Sequence, residues 1–260
     1  MKKNTNNNSL VSIIIRTKNE EEWISSCLES VFNQSYKNFE VIIVDNYSTD
    51  NTLKIAKKFN VKILKIKKYL PGKALNYGID NAKGKFISCL SGHCIPVNDS
   101  WLSNLVKNLK NKKIAGCYGR QQPLSFSSDF DKRDLINLFG LDKKIQTKDS
   151  FFHNANSAFR KDLWKKFPFD EKLTNIEDRV WAQNVLINNY KLIYEPKASV
   201  YHWHGIHHNM NKDRARNVVK ILESIRQKKR PKTFNLNKIN VLCVIPTIGN
   251  SIKIGEYYLL

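Results

Sequence analysis

Short runs of β-branched apolar residues, each ending abruptly in a polar loop and followed by helical spacing, recur along the first hundred positions of the chain. Val11 to Ile15 is the first, and it breaks at Arg16-Thr17-Lys18-Asn19-Glu20. Ile24, Cys27, Leu28, Val31 and Phe32 then fall at helical intervals, with Asn19 and Glu22 spaced as a capping pair. Phe39 to Val44 is the second run, ending in the polar turn Asp45 to Thr52, and a helix is expected from about Thr52 to Phe59. Val61 to Ile66 is the third strand, and Pro71-Gly72-Lys73 opens a helix over Ala74 to Ala82. Phe86 to Leu90 is the fourth, ending in Ser91-Gly92-His93-Cys94 before a helix over Trp101 to Leu109 and a strand over Ile114 to Tyr118. Such alternation predicts the α/β class, a mostly parallel Rossmann-like sheet flanked by helices.

Between Gln121 and Asp149 the periodicity weakens and polar residues dominate, which reads as a mobile loop or insertion. Order returns at Asn154 to Phe159, with helices over Lys161 to Lys166 and from about Asp178 to Asn188. Two short strands are expected at Leu192 to Tyr194 and Ser199 to Trp203. Asp213 to Lys229 reads as a basic amphipathic helix, with Val218, Ile221, Leu222 and Ile225 on one face and packed by it. Val241 to Ile245 is a last strand candidate. The expected organisation is a disordered segment over 1–9, one domain over 10–205, the basic helix over 206–231 and a tail over 232–260, read as part of the same domain or as the start of another.

Charge changes this picture most: 44 Lys and Arg against 23 Asp and Glu leave +21. That surplus suits a polyanionic partner, which composition alone leaves open between nucleic acid, anionic lipid headgroups and phosphorylated substrates. Neither a recognition helix nor an aromatic sheet motif accompanies the charge, so nucleic acid ranks last. Five cysteines without metal or redox spacing read as free thiols, Cys27 and Cys89 on apolar faces, which suits a reducing compartment. No window approaches the roughly 20 apolar residues of a membrane span, and 1–9 lacks the apolar stretch of a signal peptide. A cytoplasmic protein is expected, held by charge at the inner face of the membrane.

Ligands in open α/β sheets sit outside the carboxyl ends of the strands, so Asp45 and Asp50 occupy positions where a nucleotide would be held. The plainer alternative is that Asp45 to Thr52 is only a turn with Asx and Ser caps. Glu177 and Asp178 open a helix, where carboxylates favour the dipole, and from spacing alone that suffices to explain them.

Four stretches in this order and approximate spacing resemble the family 2 glycosyltransferases. They are Ile15-Arg16-Thr17-Lys18-Asn19-Glu20, Val44 to Thr52, Gly72-Lys73-Ala74-Leu75-Asn76-Tyr77-Gly78, and Glu177-Asp178 with a later Tyr201-His202, together spanning about Val11 to His204. The resemblance implies an inverting, nucleotide-sugar-dependent enzyme of GT-A-type fold, acting on a glycan or lipid-linked acceptor in cell-envelope polysaccharide synthesis. It implies that Arg16, Asn19 and Glu20 line the nucleotide pocket, that Asp45 accepts from the base, and that Lys73 and Asn76 approach the base or diphosphate. Asp178, with Glu177 second, stands where the family places its catalytic base, and Asn154 and Asn156 where it forms an acceptor wall.

One departure stands out. Where the family commonly carries a metal-holding aspartate motif, this chain has Ser91-Gly92-His93. Imidazole ligates Mn2+ and other transition ions but lacks the negative charge that Mg2+ favours. His93 with His202 or His204 is therefore a candidate metal site, and without a metal, Arg120, Lys73 and His202 are candidates to neutralise the leaving diphosphate. The loss of the aspartates also motivates an alternative, a nucleotide-sugar-binding protein with weak or no transfer activity.

Overall fold

The computed structural model describes residues 8–204, together with the helical positions Asp213, Arg216, Asn217, Lys220 and Ile221. The chain divides into two compact units, 1–211 and 212–260. In the second unit Arg216 pairs with Asp213 at 3.2 Å, four of the five described positions are exposed, and Ile221 is half-buried. The rest of the expected amphipathic helix, the strand at Val241 to Ile245, and His207 and His208 lie outside the described residues.

The first unit runs β1 (Val11–Thr17), α1 (Ile24–Phe32), β2 (Phe39–Asp45), α2 (Thr52–Ala56), β3 (Lys62–Lys65), α3 (Pro71–Asp80), β4 (Phe86–Ser91) and β5 (Cys94–Pro96). It continues α4 (Trp101–Asn108), β6 (Ile114–Gln122), α5 (Asp129–Leu138), β7 (Lys144–Gln146), β8 (Asn156–Arg160), α6 (Lys161–Lys166), α7 (Glu177–Ile187) and β9 (Lys191–His202). One sheet orders these strands β3-β2-β1-β4-β8-β6-β9-β5, with β7 on β9. The block β3-β2-β1-β4 is wholly parallel, while β8 is antiparallel to both β4 and β6 and sits in the middle of the sheet.

Strands in the parallel block are apolar on both faces because helices cover both faces. Ile13 and Ile15 of β1 pack towards α1 and α4, whereas Ile14 packs towards α3 and α7, and all three are fully buried. Each such side chain contributes roughly 1.5–3 kcal/mol relative to exposure. Gly78 lets α3 lie directly on the sheet: a Cβ there would meet Ile14 Cγ2 at 2.7 Å and Val44 Cγ2 at 2.9 Å.

Two expectations change. The segment read as a loop after Gln121 contains α5 and β7, whose pattern is weak because only Asp131 and Leu135 of α5 are buried. Ser128 caps α5, its Oγ accepting from the Asp131 N–H. The two late strands are one, β9, in which Pro196 falls where the β6 register slips between Gly119 and Gln121. An irregular ladder tolerates a proline that lacks an N–H.

Candidate active site

The carboxyl ends of β1, β2 and β4 carry the first group of functional side chains. Loops after β1 and β2 clasp one another: Asn19 N–H donates to Ser48 Oγ at 2.9 Å, Asn19 Oδ1 accepts from Thr49 N–H, and Glu20 N–H donates to Thr52 Oγ1 at 2.7 Å. Asn19 and Tyr47 take left-handed backbone, φ 54° and 51°, which lets both loops turn sharply.

Asp45 is wholly buried inside this clasp. Its carboxylate accepts from Thr17 Oγ1 at 3.1 Å, Ser48 Oγ at 2.6 Å and Ser48 N–H at 3.0 Å. These bonds hold the carboxylate at the carboxyl end of β2 and shape the turn that follows it.

Asn76 is likewise bonded within the protein. Its Nδ2 donates to the Phe169 carbonyl and to Glu171 Oε1, while its Oδ1 accepts from Trp164 Nε1 at 2.8 Å and from Phe169 N–H. Both amide atoms are satisfied within the protein, so the residue braces α3 against 164–171. Its neighbour Lys73, half-buried in the first turn of α3, has no hydrogen-bond or ion-pair partner among the described residues.

The acidic pair opens α7. Ile176, just before it, holds φ 56°, an outlier for a β-branched residue. That turn places Glu177 and Asp178 at the helix N-terminus, both buried, with 4 % and 8 % exposed. Asp178 is gripped by two N–H groups, Asn154 at Oδ2 (3.1 Å) and Arg179 at Oδ1 (2.8 Å). Glu177 Oε1 accepts from Arg16 Nη1 at 3.2 Å, which ties α7 to the end of β1. Burial pushes Glu177 up to about 7, and the Asp178 charge adds to this while Arg16 opposes it. Burial likewise raises Asp178, against its two N–H bonds and the cations Arg179 and Arg16. A carboxyl poised near neutrality beside a second one suits proton transfer.

Three imidazoles make the second group. His93, following β4, stacks on His202 at 5.1 Å between centroids with 5° between planes, and His204 lies 4.8 Å from the first and 4.3 Å from the second. Each offers one ligand nitrogen, and these three atoms lie within 4.8 Å of one another. Glu20 Oε1 sits 2.7 Å from His93 Nδ1, and Gln121 Oε1 2.7 Å from His202 Nδ1. His93 and His204 also line a cavity of about 510 Å³ with Lys18, Glu22, Trp23 and Trp203. At its rim Trp23 stacks on Phe126 (6.0 Å, 19°) and on Trp203 (6.2 Å, 8°).

The remaining expected site residues divide. Ser91 is half-buried at the end of β4, opposite Arg16 in the parallel register. Arg120 sends its Nε to the Phe139 carbonyl at 3.2 Å, at the end of α5, rather than joining the imidazoles. Asn156 is fully buried and accepts from Trp101 Nε1 while donating to the Arg120 and Ala198 carbonyls. Asn154 is 1 % exposed; its N–H holds Asp178 and its Oδ1 accepts from Ser157. Both asparagines thus brace the site from within. Sequence reasoning missed Gln121 and the Trp23 stack. Gln121 adjoined the segment read as a loop, and the partners of both come from distant segments.

Cys27, Cys89, Cys94 and Cys117 are buried free thiols. Burial raises all four, Cys89 to about 12, so none is a ready nucleophile.

Solved structures carry the same fold. A mannosyltransferase from Pyrobaculum calidifontis in complex with GDP-Man and Mn2+ aligns over 85 % of this chain and 65 % of its own, with a TM-score of 0.65 at 20 % identity. GalNAc-T7 with UDP, GalNAc and Mn2+ aligns over 84 % and 48 %, with a TM-score of 0.64 at 15 % identity. These define the class, a glycosyltransferase-type α/β fold. The model of glycosyl transferase family 2 matches residues 12–167, and the chain belongs to that family. Among curated relatives, a dolichyl N-acetyl-α-D-glucosaminyl phosphate 3-β-D-2,3-diacetamido-2,3-dideoxy-β-D-glucuronosyltransferase of Methanococcus voltae is 39 % identical over 163 residues, 56 % of this chain and 51 % of that protein. The GalNAc(5)-diNAcBac-PP-undecaprenol β-1,3-glucosyltransferase of Campylobacter jejuni is 25 % identical over 194 residues, 70 % and 60 % of the two chains. The chain thus spans between half and two-thirds of the length of these relatives.

Proposed function

We propose that this chain transfers a sugar, with inversion, from a nucleotide-sugar donor to a hydroxyl of a glycan or lipid-linked acceptor. The observation that carries the reading is the buried pair Glu177–Asp178 at the N-terminus of α7, tied to the end of β1 through Arg16. The acceptor class is read from the two relatives above, whose names specify dolichyl- and undecaprenol-linked substrates. A role in cell-envelope polysaccharide assembly at the inner face of the membrane follows from that acceptor class and from the +21 charge. No helix among the described residues is long and apolar enough to cross a membrane.

In the step itself Asp178 takes the proton of the acceptor hydroxyl as that oxygen bonds to the anomeric carbon. The bond from that carbon to the diphosphate oxygen breaks on the opposite face, and the nucleoside diphosphate leaves with the electron pair. Two N–H bonds hold the Asp178 carboxylate in one orientation, and Glu177, neutralised by Arg16 or by a proton, keeps the base from facing a second full charge. Arg16 and Lys73 are the cations for the donor diphosphate, and Asn19, Glu20 and Ser91 border its path. The aspartate-free loop after β4 does not disable this chemistry, because the base lies on α7.

The donor set at His93, His202 and His204 fits a divalent transition ion such as Mn2+, with Glu20 behind His93, and fits Mg2+ poorly for want of carboxylate ligands. When bound, the ion would supply Lewis-acid stabilisation of the departing diphosphate. A panel of uridine, guanosine, thymidine and cytidine sugars tests the reading, each with polyprenyl-diphosphate-linked glycans, with and without Mn2+, the anomeric configuration being read by NMR. Inverted product is expected from one donor class. Tight nucleotide binding with no turnover on any donor would instead establish a binding protein.

A further inference from the structure

Behind the imidazole cluster lies a polar relay that the proposed reaction does not itself require. Gln121 is 1 % exposed, and its amide bridges two histidines: Oε1 lies 2.7 Å from His202 Nδ1, and Nε2 lies 2.9 Å from His153 Nδ1. A carbonyl oxygen only accepts and an amide nitrogen only donates. With the amide in this orientation His202 carries its proton on Nδ1, and His153 Nδ1 is an acceptor. On the other side of the cluster the Glu20 carboxylate accepts from His93 Nδ1 at 2.7 Å. In both rings the ring lone pair is then on Nε2.

We propose that Gln121, oriented by His153, and Glu20 are positioning residues that lock His202 and His93 in the Nδ1–H tautomer. Their Nε2 atoms and His204 are thereby assembled as a tri-imidazole site for a borderline transition ion, Mn2+ or Zn2+, in preference to Mg2+. This rests on the metal reading given above and adds what prepares the site for it. The supports come from separate places: Glu20 from the loop after β1, Gln121 from β6 and His153 from just before β8. An outer partner on the second ring nitrogen fixes ring orientation and raises ligand basicity, and its loss typically lowers metal affinity 10- to 100-fold.

Two measurements on the full chain test it. Long-range 15N–1H correlation spectra of the metal-free protein should place the protons of His93 and His202 on Nδ1. Calorimetric titration with MnCl2 and with ZnCl2 should show 10- to 100-fold weaker binding in Gln121→Leu and Glu20→Ala, with Gln121→Glu recovering to within a few-fold of the parent. A proton on Nε2 of His202, as the reversed amide would give, overturns the proposal, as does unchanged affinity in a folded Gln121→Leu. Should Gln121→Leu fail to fold, Gln121→Glu and the parent spectra still decide it. A parent chain that binds neither ion overturns the metal reading itself, a different result from unaltered affinity in the variants.

Discussion

Two centres stand at the same edge of the sheet and are built on opposite principles. The α7 centre concentrates charge: two buried carboxyls at one helix terminus, with a guanidinium against one of them. Across the edge, the imidazole centre stacks three rings that carry no fixed charge and takes its order from hydrogen bonds behind them. The first stores its function as a displaced protonation equilibrium, because burial raises both acids and the Asp178 charge adds to the rise at Glu177. The second stores it as tautomer and geometry. Charged groups tolerate positional error, since Coulomb interaction falls slowly with distance, whereas a ligand lone pair has to be aimed.

The contrast breaks first at Asp178. Asp178→Asn removes the base while keeping one acceptor oxygen, enough for one of the two N–H groups that hold the carboxylate, so transfer should fall by about 10²–10⁴-fold. Nucleotide affinity, measured by calorimetry, should stay within about twofold. Retained turnover would move the base to Glu177 or elsewhere. The equivalent blow to the other centre is His93→Ala, expected to weaken Mn2+ binding by about 100-fold or more, since it removes a ligand outright rather than an outer partner. If metal binding survives there, the three rings are packing and not ligands.

A smaller effect tests the electrostatics. Glu177 and Asp178 titrate as a pair, and the base works only when deprotonated. Transfer should therefore rise with pH through an acid limb displaced above the ordinary aspartate range, set by the raised Asp178, and flatten above it. For folding the sign is opposite: the folded carboxyl binds its proton more tightly than the unfolded one, so stability declines as pH rises from about 4.5 to about 7. Arg16→Met removes the opposing cation and should move the acid limb up by about one unit. Chemical denaturation and rate profiles across pH 5–9 check both, and a pH-independent rate would detach the pair from the chemistry.

How far these centres were legible follows from how each is assembled. Glu177 and Asp178 are adjacent and open a helix, so motif order alone located them. The loops after β1 and β2 were also found, yet the bonds on Asp45 were not, because a strand-end aspartate that binds a base and one that knots its own turn look alike until Thr17 and Ser48 are seen on its oxygens. Asn76 and Asn156 are alike in this: sequence does not reveal that Trp164 or Trp101 donates to the side-chain amide oxygen, nor that the backbone N–H of Asn154 is bound by Asp178. Nor could Gln121, sitting beside a stretch of weak periodicity, be linked to histidines 32 and 81 residues away.

By itself, then, the sequence determined the first four strands, their alternation with helices in a parallel sheet and the acidic helix start. Local periodicity and turn chemistry act over a few residues and leave their mark in order. Tertiary structure alone decided which polar atoms were spent on the protein and which faced the site. Hydrogen-bond satisfaction in a buried interior is settled between segments far apart in the chain. The slipped β6–β9 pairing and the antiparallel β8 between β4 and β6, which bring His153, Gln121 and His202 together, have no counterpart in any local pattern.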